Sequence, residues 1–336
     1  MSKVLCFGEL LLRFSPQLDG HWVTKTSMPV FIGGAELNVA TALAKWQVPA
    51  SYCTALPDNY LSKEIITDIQ KKNIETNTIL LCGNRIGTYY LPIGEDMKAA
   101  GVIYDRDFSS FAGLAPGQID WEHILKDVSW FHFSAISPAL NANVALICKQ
   151  ALQEATRKEI YISVDLNYRS KLWQYGNEPN EIMPDLVQYC DLVMGNIWSA
   201  EKMLDISIPT DFDRGKKACV EQAEKTSIEI MRRFSKCKQV ANTFRFDADA
   251  GLLYYASLYK NNQLYLSNEY YTKAIVDKVG SGDCFMGGLI YGNYNNLSPQ
   301  ETIDFAASAA FNKLFIAGDA TTSSIEEIKK GYINYA

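Results

Sequence analysis

The chain predicts an α/β fold, with a mostly parallel sheet and helices on both faces. Three observations carry that expectation. Short apolar runs rich in β-formers alternate with longer segments of helical spacing. Polar residues suited to chemistry fall directly after such runs, where open α/β sheets bind their ligands. Of the 336 residues, 48% are hydrophobic and 21% charged, enough to build a large core.

Taken in order, residues 3–8 read as a buried first strand. The acidic Glu9 ends that run, so it is neither a signal peptide nor a membrane span. Residues 35–47 follow as a helix, 50–55 as a strand and 60–72 as a helix. Strands at 129–134, 160–164 and 192–195 come next, with helices at 143–157, 216–235 and 301–316. Asp165 stands just after the strand at 160–164, and Asn196 just after 192–195. Residues 11–32 and 85–104 break the alternation: they are rich in β-formers and turns and lack helical spacing. Repeats and low-complexity linkers are not evident, so residues 1–336 read as a single domain.

Composition excludes several classes. The net charge is −6 with no long basic run, which argues against nucleic acid as a partner. The eight cysteines are scattered without a C-x-x-C pair, as expected of reduced thiols in a cytoplasmic protein. The three histidines lack metal-ligand spacing, and His132 within Trp130-Phe131-His132-Phe133 suits a core or edge strand. An NAD-dependent dehydrogenase would place G-x-G-x-x-G after the first strand, where Gly8-Glu9-Leu10-Leu11 stands instead. A Walker-type P-loop is also missing.

The richest stretch is Val279-Gly280-Ser281-Gly282-Asp283-Cys284-Phe285, running into an apolar helical segment. Glycines expose consecutive backbone N–H groups, and a helix N-terminus adds more N–H groups with a partial positive charge. Such a point suits a phosphate. A carboxylate there repels an anion, so Asp283 makes sense as a base for a hydroxyl that attacks phosphorus. A plain helix cap is the alternative on these residues alone. The second Gly pair, Gly33-Gly34, would let a ligand approach the backbone, with Asn38 one helical turn on. By alternation Tyr104 and Arg106 share one side of an extended segment, a pairing that suits a carboxylate.

Gly280-Ser281-Gly282-Asp283 resembles the G-A-G-D signature of the ribokinase-like (PfkB) carbohydrate kinases, with Ser for Ala, and Gly33-Gly34-Ala35-Glu36-Leu37-Asn38 resembles their N-terminal glycine pair. The resemblance spans essentially the whole chain. Within that family Tyr104-Asp105-Arg106, and Asp165-Leu166-Asn167-Tyr168-Arg169 with Leu172-Trp173, resemble motifs of the 2-keto-3-deoxygluconate kinases. It implies a ribokinase-like three-layer fold, with residues 11–32 and 85–110 forming a small β-sheet lid that excludes water. It also implies ATP and Mg²⁺, and transfer of phosphate to the terminal hydroxyl of a sugar acid.

The roles it implies are specific. Asp283 is the base, Gly280, Ser281 and Gly282 form the anion hole, and Arg169 neutralises charge between substrate and γ-phosphate. Gly34, Asn38, Tyr104, Arg106, Arg169, Asp283 and Asp319 contact the sugar acid, as does one of Tyr89 and Tyr90, with Tyr90 preferred. Asn167, Asn196, Thr243, Arg245 and Asn312 face the nucleotide. Asn196 resembles the Asn of the family's N-x-x-E motif, but position 199 is Ser. Glu201 could take the Glu's place only if the helix after Asn196 starts late. The metal ligands are left open, as is a homo-oligomer. A fructokinase is the near rival, and a non-catalytic sugar sensor a more distant one.

Overall fold

The computed structural model describes residues 2–16, 27–92, 101–248 and 251–331. Parts of both expected lid segments, 17–26 and 93–100, lie outside these residues. The first half contributes strands β1 (Lys3–Phe7), β2 (Leu11–Phe14), β3 (Val30–Gly33), β4 (Ala50–Cys53), β5 (Ala55–Leu56), β6 (Ile74–Glu75), β7 (Leu80–Leu81), β8 (Gly87–Tyr90), β9 (Ile103–Asp105) and β10 (Val128–Ser134). The second contributes β11 (Tyr161–Asp165), β12 (Leu192–Gly195), β13 (Gln239–Ala248), β14 (Gly251–Lys260), β15 (Gln263–Leu266) and β16 (Tyr270–Thr272). The helices are α1 (Ala35–Lys45), α2 (Tyr60–Lys71), α3 (Trp121–Ile124), α4 (Ala142–Arg157), α5 (Pro179–Val187), α6 (Ile197–Leu204), α7 (Lys216–Arg233), α8 (Ser281–Tyr294), α9 (Pro299–Lys313) and α10 (Ile325–Lys329).

The large sheet runs β15-β14-β13-β12-β11-β10-β1-β4-β6, with β16 also on β14. From β13 to β6 every pairing is parallel; β14 and its neighbours turn antiparallel. Strand alternation splits the side chains between two cores. Val4, Cys6 and Trp130 face the side covered by α1, α8 and α9. Leu5, Phe7, Phe131 and Phe133 face the side covered by α4 and α5. Three layers result, as expected. His132 is buried in β10 against the Ser163 hydroxyl at 3.0 Å, and burial pushes its pKa down to about 3, so it is a core residue. Seven of the eight cysteines are buried, and Cys82 is half-buried.

Local signals start the helices where the sequence implies. Asn59 accepts from the Ser62 N–H at 2.9 Å, and Asn141 from Val144 at 3.0 Å. Ser298 and Glu301 form a reciprocal cap before α9. Each such cap contributes about 1 kcal/mol. No helix among the described residues is long and apolar enough to cross a membrane.

A four-stranded sheet, β3-β2-β8-β9, stands beside the large one. It is built from both segments that broke the alternation. Its pairings are antiparallel except β2 with β8, which run parallel with Arg13 opposite Tyr89.

Candidate active site

A single cavity gathers residues from Glu9 to Asp319, over the carboxyl ends of β1, β11 and β12 and under the small sheet. Its floor is the start of α8. Gly280 precedes that helix at φ +78°, and a Cβ there would lie 1.7 Å from the Asp319 carbonyl oxygen. Only glycine fits this turn. The N–H groups of Ser281, Gly282 and Asp283 are the first of α8 and have no helical carbonyl to meet. The Ser281 hydroxyl donates to the Ala310 carbonyl at 2.9 Å, so Ser281 offers the cavity its backbone.

Asp283 is the central titratable group. Its pKa is raised to about 7, chiefly by burial; Asp165 and Glu36 add to the rise, while the Asn38 amide and Arg169 oppose it. The Asn38 Nδ2 donates to Asp283 Oδ2 at 2.7 Å. That bond engages one of the two carboxylate oxygens. Asn38 Oδ1 is buried with no hydrogen-bond partner, an open acceptor in the cavity wall. Asn38 sits there because Gly34, at φ +135°, starts α1 against the backbone of Glu9.

The same cavity is also lined by cations. Arg106 and Tyr104 both line the cavity, the guanidinium 5.8 Å from the ring centre. Arg106 is ion-paired with Glu9, its Nε donating to Glu9 Oε2 at 2.7 Å, and Ser109 also donates to that carboxylate. Arg169 follows β11. Its Nη1 donates to the Tyr168 carbonyl at 3.4 Å, and its Nε is buried without a hydrogen-bond partner. Asp165, Asn167, Asn196, Thr243, Arg245 and Lys278 line the cavity as well.

Several expected placements change. Tyr89, not Tyr90, lines the cavity, and its hydroxyl donates to Asp319 at 3.0 Å. Tyr90 lies on the other face of β8, stacked on Phe14 at 5.3 Å. Asn312 is not part of the lining: its amide donates to the Ser308 carbonyl at 2.8 Å, one turn back in α9. Asn196 caps α6, its Oδ1 accepting from the Ser199 N–H at 2.9 Å. The helix therefore starts at once, at Ile197, and Glu201 is carried outside the cavity lining. We expect Glu201→Gln to leave the Mg²⁺ requirement of the rate unchanged; a raised requirement in a metal titration would return Glu201 to the site.

Sequence reading missed Glu36, whose Oε1 accepts from the Ser134 N–H at 2.9 Å and hydroxyl at 2.6 Å, and whose pKa burial raises to about 7. It also gave Glu9 no role. The available signal was an acid interrupting the apolar run of β1 at its carboxyl end. Among the described residues no three His, Cys, Asp or Glu side chains converge to hold a metal. Mg²⁺ fits this donor set only as an ion carried largely by phosphate oxygens and waters.

A glycine-built anion turn beside a buried carboxylate, roofed by a small sheet, defines a phosphoryl-transfer enzyme. The sequence profile of the pfkB family carbohydrate kinases matches residues 1–315, and the chain belongs to that family. It is a carbohydrate kinase with the ribokinase-like fold. It is similar to the 2-dehydro-3-deoxygalactonokinase of Haloferax volcanii, with 24% identity over 98% of this chain and 96% of the relative. The structure of 2-dehydro-3-deoxygluconokinase from Thermotoga maritima matches with a TM-score of 0.88 and 36% identity, covering 98% of this chain and 99% of that one. Fructokinase with bound ATP from Xylella fastidiosa shares the fold at a TM-score of 0.77 and 17% identity, over 98% of each chain.

Proposed function

We propose that this kinase transfers the γ-phosphate of ATP to the terminal hydroxyl of a 2-keto-3-deoxy sugar acid, with 2-keto-3-deoxygluconate as the favoured substrate and Asp283 as base. One observation carries the reading: a single cavity is lined by Asp283 at the glycine turn and by Arg106, Tyr104 and Arg169. The free Asp283 oxygen takes the hydroxyl proton as the oxygen bonds to phosphorus and ADP leaves. The N–H groups at the start of α8 and the Arg169 guanidinium face the charge that spreads over the phosphoryl oxygens. Mg²⁺, when bound with the nucleotide, neutralises phosphate charge. Arg106 and Tyr104 orient the acid end, and Asn38 Oδ1 accepts from a sugar hydroxyl. The similarity to kinases of both 2-keto-3-deoxy sugar acids supports the substrate class.

The Glu9–Arg106 ion pair favours a second reading, a kinase of a neutral ketose such as fructose. A guanidinium that already holds a carboxylate has less to offer another. A panel of 2-keto-3-deoxygluconate, its galactonate epimer and fructose under MgATP separates the two. The sugar acids are expected to give the higher kcat/KM. In Arg106→Ala the acid should lose more than about tenfold relative to fructose, since a charge-assisted hydrogen bond contributes about 1.5–3 kcal/mol. Comparing two sugars within one variant cancels the stability lost by leaving Glu9 unpaired. Fructose leading in the wild type would overturn the acid reading.

A further inference from the structure

A second cluster of charge lies behind the cavity wall. Arg13 is 2% exposed and Lys313 fully buried; Asp277 and Asp319 are 9% and 3% exposed. None but Asp319 lines the cavity. Two cations therefore balance two carboxylates out of water, which requires close pairing. Arg13 supplies it with a fork. Its Nη2 reaches Asp277 Oδ2 at 2.6 Å, its Nη1 reaches Oδ1 at 3.3 Å, and its Nε lies 2.8 Å from Asp319 Oδ1.

The partners of those carboxylates give the cluster its direction. Asp277 Oδ1 accepts from the Val279 N–H at 3.0 Å, one residue before Gly280, and Oδ2 accepts from the Gly318 N–H at 3.1 Å. Lys313 Nζ donates to the carbonyls of Ile316 at 3.0 Å and Asp277 at 3.5 Å. The turn before α8 and the turn after α9 are thus bound to one guanidinium. That guanidinium comes from β2 of the lid. Across the strand pair, Tyr89 holds the other oxygen of Asp319.

We propose that Arg13 is a positioning residue that ties the lid to the phosphate-binding turn, so that a sugar seated under the lid sets the geometry of the Ser281–Asp283 amides. It rests on the kinase reading of that turn. Lid strand and turn move as one unit through Arg13, and sugar and nucleotide then bind with positive coupling. A lysine at this position keeps the charge but cannot span both carboxylates.

The test measures the affinity of the β,γ-imido analogue of ATP with and without saturating 2-keto-3-deoxygluconate. In the wild type the sugar should tighten nucleotide binding by about fivefold or more. In Arg13→Lys and in Asp277→Asn that ratio should fall below about twofold, and the double variant should lose no more than either single one. In Arg13→Lys, which leaves the Asp277 bonds to the turn in place, nucleotide affinity without sugar should stay close to that of the wild type, which a merely structural defect would not allow. A folded variant that keeps the wild-type ratio, or a wild-type ratio of one, would overturn the proposal. Should neither variant fold, amide exchange on the wild type decides: sugar alone must slow the Gly318 amide, outside the cavity lining, and unchanged exchange refutes the coupling. If the wild type takes fructose instead, the ratio is measured with fructose, so a wrong substrate and a wrong coupling show separately.

Discussion

Asp283→Asn is expected to lower kcat by about 10²–10⁴-fold at saturating substrates, the range for loss of a general base. The amide keeps the shape of the carboxylate and can still sit against Asn38, so the fold should persist. KM should change little, because proton transfer belongs to the transition state. The pH profile gives a second handle. Asp283 must be ionised to accept a proton, and its pKa is raised to about 7. kcat/KM should therefore fall as pH drops below about 7. Glu36 titrates in the same range, so the limb alone does not name its owner. Asn38 does, because it bonds Asp283 and lowers its pKa. Asn38→Ala should move the acid limb to higher pH. A limb that stays in place, or Asp283→Asn turning over near the wild-type rate, would remove Asp283 as base.

Arg169→Ala should cost about 10²–10³ in kcat, by analogy with removing one fixed donor from an oxyanion site. Its Nε is buried with no hydrogen-bond partner, and its Nη1 donates only to the neighbouring Tyr168 carbonyl at 3.4 Å. Arg169→Lys should recover only part of the rate, since an ammonium lacks the planar fork. If Arg169 served substrate binding alone, KM for the sugar acid would rise and kcat would hold. That split distinguishes the two roles in one set of initial rates.

Five parallel strands of the central sheet and the long helices were legible because each signal was local, whereas the antiparallel edge from β13 to β16 was not called. Apolar runs marked β1, β4, β10, β11 and β12, and helix ends matched within three residues, close to the usual uncertainty of boundaries. The glycine turn and Asp283 were legible for the same reason. What failed depended on phase or topology. Alternation shows that Tyr89 and Tyr90 face opposite ways but not which faces in; the packing of β8 against β2 decides that. The place of Glu201 stayed open because the cap made by Asn196 sets the helix start, a matter of one side chain's hydrogen bond. Asn312 lies outside the lining because its amide bonds back to Ser308 within α9. Arg13, Asp277 and Lys313 stand up to 300 positions apart, and only the closed fold makes them neighbours.

The cysteines give a practical gauge. Seven of the eight thiols lie in the interior, and burial raises the pKa of Cys6, Cys53, Cys148 and Cys190, so they stay protonated and unreactive. Cys82, beside β7, is the exception. A maleimide added to the folded protein should modify one sulfur quickly, and added to the unfolded chain should modify eight. The count of labelled sulfurs by mass then reads out global opening under native buffer, without denaturant, and a dye on Cys82 leaves the catalytic cavity unmarked.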